Sequence, residues 1–108
     1  MTLNRLKKIW DNGEYALNGW LSINNSFIAE IMSRQNYDTL TIDMQHGLID
    51  YSDLVGMRQG ITGSNVTPIV RVPWLDPGYI MKALDTGAQG IISPMINNKK
   101  EAEEFVSY

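Results

Sequence analysis

Leu40-Thr41-Ile42-Asp43-Met44-Gln45-His46-Gly47 is the stretch on which the reading of this chain turns. It is an apolar, β-branched run that stops at an acid and places the only histidine three residues later, beside a glycine. Such a run ending in polar residues and Gly reads as a buried strand, Thr39 to Asp43, entering a loop. In α/β proteins, chemistry collects at that kind of place, outside the carboxyl ends of parallel strands.

Outward from this strand the pattern repeats. Before it, Phe27, Ile28, Ile31 and Met32 follow the turn cluster Asn24-Asn25-Ser26 on a helical period. Glu30 near the start and Arg34 near the end suit the helix dipole. Tyr15 to Ile23 reads as extended, and Leu3, Leu6, Ile9 and Trp10 as a short helix capped by Thr2 and stopped at Gly13. After His46-Gly47, Asp50 is placed to cap a helix on which Tyr51, Leu54, Val55, Met57, Arg58 and Ile61 follow a helical period, closed by Thr62-Gly63-Ser64-Asn65. Val66 to Val72 is a third strand, with Pro68 at its first residue or two, where the missing N–H costs least. Asp76-Pro77 starts a helix ended by Gly87, Gly90 to Ser93 is a fourth strand stopped by Pro94, and Asn98 begins a last helix.

The order is one helix followed by four strand–helix units. Alternation at this pitch means parallel strands joined by right-handed crossovers, an α/β fold. Two architectures fit: a small open doubly wound sheet, or the first half of a (β/α)8 TIM barrel, which typically needs about 250 residues. The chain has 108 residues and ends inside an apparent helix, Phe105-Val106-Ser107-Tyr108, so the half barrel is the expectation, with residues 1–108 a single partial domain.

Composition narrows the function. Hydrophobic content is 44% and charged content 19%, as in globular proteins. A net charge of −3 argues against nucleic acid, whose phosphates need a basic face. The absence of cysteine removes disulfides, thiolate metal sites and a Cys nucleophile. No apolar run approaches the roughly 20 residues of a membrane helix, and the N-terminus lacks a secretory signal's apolar core. A cytoplasmic protein without a membrane partner is the expectation.

Parallel strands would align three strand ends on one face. The first offers Trp20, Ser22 and Asn24, the second Asp43, Gln45 and His46, and the third Arg71. Arg binds carboxylates in bidentate fashion and His moves protons near neutral pH, so an anionic, oxygen-rich substrate fits. Each residue also has a plainer reading. A lone His in a loop is commonly a surface residue, Asp43 could cap a turn, and the Trp and Met residues read as core. Arg71, closing the apolar run Ile69-Val70, must find a counter-charge or water. Gly87-Ala88-Gln89-Gly90 has the wrong spacing for a phosphate loop, and no His/carboxylate cluster forms a complete metal site.

Three segments together carry a resemblance: Leu40 to Gly47, then Pro68-Ile69-Val70-Arg71-Val72-Pro73-Trp74-Leu75-Asp76-Pro77, then Leu84-Asp85-Thr86-Gly87-Ala88-Gln89-Gly90-Ile91-Ile92-Ser93-Pro94-Met95. In this order and spacing they resemble the HpcH/HpaI aldolase family, which includes 4-hydroxy-2-oxoheptanedioate aldolases; Gly19-Trp20-Leu21 is similar to that family's first strand. The resemblance implies a (β/α)8 barrel that cleaves 4-hydroxy-2-oxo acids reversibly to pyruvate and an aldehyde. It also implies a divalent metal (Mg, Mn or Co), no Schiff base, and a homo-oligomer at full length.

By the same resemblance Arg71 holds the pyruvyl group and its enolate oxygen, His46 serves proton transfer at the C4 hydroxyl through water, and Asp43 orients that network. Trp20 and Gln45 join Arg71 in substrate binding, Gln45 standing where many relatives carry Glu. Asp85 matches a family aspartate that would act in a neighbouring subunit's site. The family's metal-binding Glu and Asp belong to strands of the second half, beyond this chain, so the 108 residues alone would be inactive. Two alternatives stand beside this reading. One is a non-catalytic half barrel that self-associates. The other is a lyase of the citrate-lyase-β or malyl-CoA branch, which usually carries an Arg near the end of the first strand; Gly19 to Ile23 has none.

Overall fold

Thr39–Asp43 is buried at all five positions and is paired on both edges, by Asn18–Leu21 and by Thr67–Arg71. In the computed structural model, which describes residues 4–108, this strand is the second of four. The elements run α1 (Arg5–Asp11), β1 (Asn18–Leu21), α2 (Ser26–Ser33), β2 (Thr39–Asp43), α3 (Tyr51–Ile61), β3 (Thr67–Arg71), α4 (Pro77–Asp85), β4 (Gly90–Ile92) and α5 (Lys99–Ser107). The sheet order is β1-β2-β3-β4 and every pairing is parallel. Right-handed crossovers that always step the same way leave α2 to α5 on one face. A doubly wound sheet reverses its strand order midway. The fold is therefore an arc of barrel wall, as the half-barrel reading expected.

Alternation across the strands separates two surfaces. Leu21, Leu40, Ile42 and Val70 point to the helices and pack with Ala29, Leu54, Met57, Ile61, Ile80 and Ala83 in one core. The other, concave face carries Asn18, Trp20, Thr39, Thr41, Ile69 and Arg71, neighbours in the parallel register. There Asn18 Oδ1 accepts from the hydroxyls of Thr39 (2.6 Å) and Thr41 (2.9 Å). Helix α1 crosses the end where the strands begin. Asn4 donates to the Gln89 carbonyl, and Arg5 reaches the Asn65 carbonyl and Asp38. A cavity of about 730 Å³ opens between α1 and the concave face, lined by Leu6, Trp10, Thr41, Ile69 and Ile92 among others.

Local chemistry sets most boundaries. Asn25, Asp76 and Asn98 cap α2, α4 and α5 through their side chains, and Pro77 opens α4 as expected. The Asp50 N–H donates to Asp53 at the start of α3. Pro68 is the second residue of β3, and its carbonyl accepts from the Gln89 N–H.

Some expectations fail for physical reasons. The Thr2 cap lies outside the described residues; α1 starts at Arg5, capped by Asn4. Strand β1 is four residues, shorter than Tyr15 to Ile23, because β2 pairs with it only from Asn18 to Leu21. Glu30 lies beyond the first turn of α2 and Arg34 is its C-cap, so the dipole argument does not apply to that acid. The tryptophans are not core. Trp10, Trp20 and Trp74 are 61%, 44% and 60% exposed, the first two on the concave side and the third in the loop after β3. Met44 and Met57 are buried, whereas Met81 and Met95 are exposed.

Candidate active site

The carboxyl end of the sheet is organised by one carboxylate. Asp43 closes β2, is 2% exposed, and stands directly opposite Arg71, the last residue of β3. Parallel neighbours in register point to the same face, so the pair is placed by the sheet itself. Arg71 binds side-on: Nε donates to Asp43 Oδ1 at 3.0 Å and Nη2 to Oδ2 at 2.6 Å. The counter-charge that the apolar run Ile69-Val70 required is thus Asp43.

Three further donors converge on the same carboxylate. The backbone N–H groups of Gln45 (2.9 Å) and His46 (3.2 Å) bond Oδ1, and the Trp20 indole N–H bonds Oδ2 at 3.2 Å. Asp43 therefore caps the turn and pairs the arginine at once. Burial pushes its pKa up, but the bonds from Arg71, from the Gln45 and His46 N–H groups and from Trp20 outweigh this. The group ends well below the usual carboxylate range. Hydrogen bonding to Asp43 raises Arg71 further, so both charges are permanent at neutral pH. A carboxylate has about four lone-pair sites, and five N–H donors occupy them. Asp43 is an anchor, with no lone pair left to act as a base or to bind a metal.

The loop after β2 has one strict requirement. A Cβ at Gly47 would collide with the Asp43 carbonyl oxygen and press on the Ser22 backbone. Only glycine lets the chain turn there, with the Leu48 N–H bonded to the Ser22 carbonyl. His46 rides on this loop, exposed. Its backbone, not its imidazole, contacts Asp43, and its ring has no hydrogen bond to any described residue. Gln45 likewise touches Asp43 through its N–H, and its side-chain amide has no hydrogen bond to any described residue.

The structure brings together Trp20, Asp43 and Arg71, with Gln45 and His46 on the adjoining loop. It does not bring Asp85 there. That residue ends α4, exposed, near the end of the sheet where the strands begin, because α4 runs antiparallel to the strands. Sequence reasoning did not foresee the triple role of Asp43 or the need for Gly47. The Asp-x-x-His-Gly spacing carried the signal, since an Asp accepting N–H bonds two and three residues on is an Asx turn. No group of three His, Cys, Asp or Glu side chains that could hold a metal occurs among the described residues. With Asp43 saturated, these residues do not fit a metal.

The family profile HpcH/HpaI aldolase/citrate lyase matches residues 17–108. The chain is 41% identical over 105 residues to a hydroxypyruvate/pyruvate aldolase of Rhizorhabdus wittichii, covering 97% of this chain and 42% of that protein. It is 33% identical to a 4-hydroxy-2-oxo-heptane-1,7-dioate aldolase of Salmonella dublin, covering 96% and 40%. A crystal structure of an HpcH/HpaI aldolase/citrate lyase family protein from Burkholderia cenocepacia superposes with a TM-score of 0.87 at 34% identity, over 96% of this chain and 42% of that one. The chain thus spans about two fifths of the length of the curated relatives it matches. It belongs to the HpcH/HpaI aldolase/citrate lyase family of carbon–carbon lyases.

Proposed function

We propose that residues 1–108 form the N-terminal half barrel of a metal-dependent aldolase that cleaves 4-hydroxy-2-oxo acids reversibly to pyruvate, or hydroxypyruvate, and an aldehyde. The observation that carries this is the side-on Asp43–Arg71 pair, which spends Nε and one Nη2 hydrogen on Asp43. The two N–H groups of Nη1 and the second of Nη2 remain for a ligand. Positive charge fixed at the mouth of a sheet, beside an exposed imidazole, suits a reaction in which an enolate forms and a hydroxyl loses its proton.

In this proposal the free edge of Arg71 receives the pyruvyl oxygens. His46, through a water, takes the proton of the C4 hydroxyl. As the aldehyde carbonyl forms, the C3–C4 bond breaks and its electron pair enters the C2 enolate, whose oxygen Arg71 stabilises. A proton delivered to C3 then completes pyruvate. Asp43 transfers nothing; it holds Arg71 and the turn that carries His46. Trp20 and Gln45 border the ligand, and Asp85 serves a neighbouring subunit of a homo-oligomer. The divalent metal of the family, Mg, Mn or Co, takes its Glu and Asp from later strands, and no step here passes through it.

The test is pyruvate release from 4-hydroxy-2-oxoheptanedioate by the protein that carries these residues. Activity is expected to vanish with chelator and to return with Mg, Mn or Co. Activity that survives chelation and is trapped by borohydride refutes the proposal, since that is Schiff-base chemistry. The unpaired outer edges of β1 and β4 support a second reading for the isolated chain. Two copies would pair edge to edge, and size-exclusion chromatography would give a dimer; a folded monomer would refute it.

A further inference from the structure

Trp20 touches both members of the ion pair. Its Nε1–H donates to Asp43 Oδ2 at 3.2 Å, and the Arg71 guanidinium carbon lies 5.0 Å from its ring centroid, within cation–π range. The parallel pairing of β1 with β2 sets Trp20 opposite Thr41, two residues before Asp43, on the face that Arg71 shares.

Two parallel hydrogen bonds fix a guanidinium along the line of its partner carboxylate, but they leave it free to tilt about that line. A ring set against the guanidinium face removes this freedom. The indole N–H, meanwhile, holds the carboxylate from the side that Arg71 leaves open. We propose that Trp20 is a positioning residue that sets the tilt of Arg71, so that Nη1 and the second Nη2 hydrogen face the carboxylate and oxo oxygens of a bound 2-oxo acid. This rests on the reading of Arg71 as the pyruvyl anchor. It differs from a role as a mere wall of the aldehyde pocket, because Trp20 then governs affinity for the 2-oxo acid and not for the aldehyde.

Two substitutions separate the contributions. Trp20→Phe keeps a ring face and removes the N–H, while Trp20→Leu removes both. In the condensation direction Trp20→Leu is expected to raise the KM for pyruvate about tenfold and Trp20→Phe about threefold, as the loss of one or two weak contacts implies. The KM for the aldehyde should stay within about twofold in both. The second readout needs no activity: solvent exchange of the Arg71 Nε–H, followed by NMR without substrate, should quicken about tenfold or more in Trp20→Leu and less in Trp20→Phe.

A rise in aldehyde KM with pyruvate KM unmoved, in either variant, overturns the proposal. So does unchanged Arg71 exchange in Trp20→Leu. Should Trp20→Leu not fold, Trp20→Phe decides by which KM moves. Should the full-length protein that carries these residues lack aldolase activity, the exchange measurement still judges the positioning role while the functional reading falls by itself.

Discussion

Asp43→Asn separates an anchoring carboxylate from a reacting one. The substitution keeps shape and volume but leaves one acceptor oxygen where five donors converge. With that oxygen in the Oδ1 position, the bonds from Gln45, His46 and Arg71 Nε survive. The new amide group then faces the Trp20 N–H and Arg71 Nη2, donor against donor. A hydrogen bond to a charged group is worth about 1.5–3 kcal/mol net, so two give about 3–6 kcal/mol. Water reaches part of this loss, because the Arg71 side chain is 22% exposed and Trp20 44%. We expect about 2–4 kcal/mol, a large share of the roughly 5–15 kcal/mol that holds a small domain together.

Urea denaturation of the wild type, Asp43→Asn, Arg71→Met and the double variant measures both the loss and its coupling to Arg71. The pH dependence has a definite sign. The folded-state pKa of Asp43 lies below its unfolded value, so ionisation favours the folded chain above about pH 4 and the benefit fades as pH falls below that. The gap between wild type and Asp43→Asn should be constant from about pH 8 to 5 and shrink below about pH 4. A loss under about 0.5 kcal/mol, or no coupling to Arg71→Met, would refute the anchor.

Arg71→Lys keeps the charge but not the fork, so it should cost about 1 kcal/mol in stability and about 10²–10³ in kcat for pyruvate release, read by a coupled assay. Gly47→Ala forces a Cβ against the Asp43 carbonyl and should lower stability by about 1–3 kcal/mol; kcat, measured well below the melting temperature, should fall because His46 moves with the turn. Gly60→Ala places a Cβ 2.6 Å from the Ser26 carbonyl where α2 packs on α3. It should cost a similar amount by thermal melting and leave kcat unchanged, since that contact is far from the concave face.

What was legible in the sequence follows from what is local. Strand β2 falls on the expected residues, Thr39 to Asp43, because a centrally buried strand needs an unbroken apolar and β-branched run. The helix starts at Asp50, Asp76 and Asn98 were legible because a short polar side chain before a helical period has one main use. The extent of β1 was not, since a strand's length depends on its neighbour's reach. The exposure of Trp10 and Trp20 was hidden for a similar reason. Both face the concave side of an arc, where apolar residues are buried only if further strands close the barrel.

The site divides along the same line. Asp43 and Arg71 sit opposite each other in a parallel register, so their meeting follows from strand order alone and was open to sequence reasoning. His46 depends on a turn whose geometry is set by Asp43 and Gly47, and its imidazole leaves that turn free of any described partner. The consequence is a site with a rigid part and a movable one. The charge that would meet an enolate is fixed by two strands and the Trp20 ring, while the imidazole that would move a proton is free to follow its ligand. Electrostatic stabilisation gains most from groups that need not reorganise, and a proton carrier must come within reach of more than one atom. Losses at Arg71 should therefore appear in stability and kcat together, losses at Trp20 in 2-oxo acid affinity, and losses at His46 in kcat with stability unchanged.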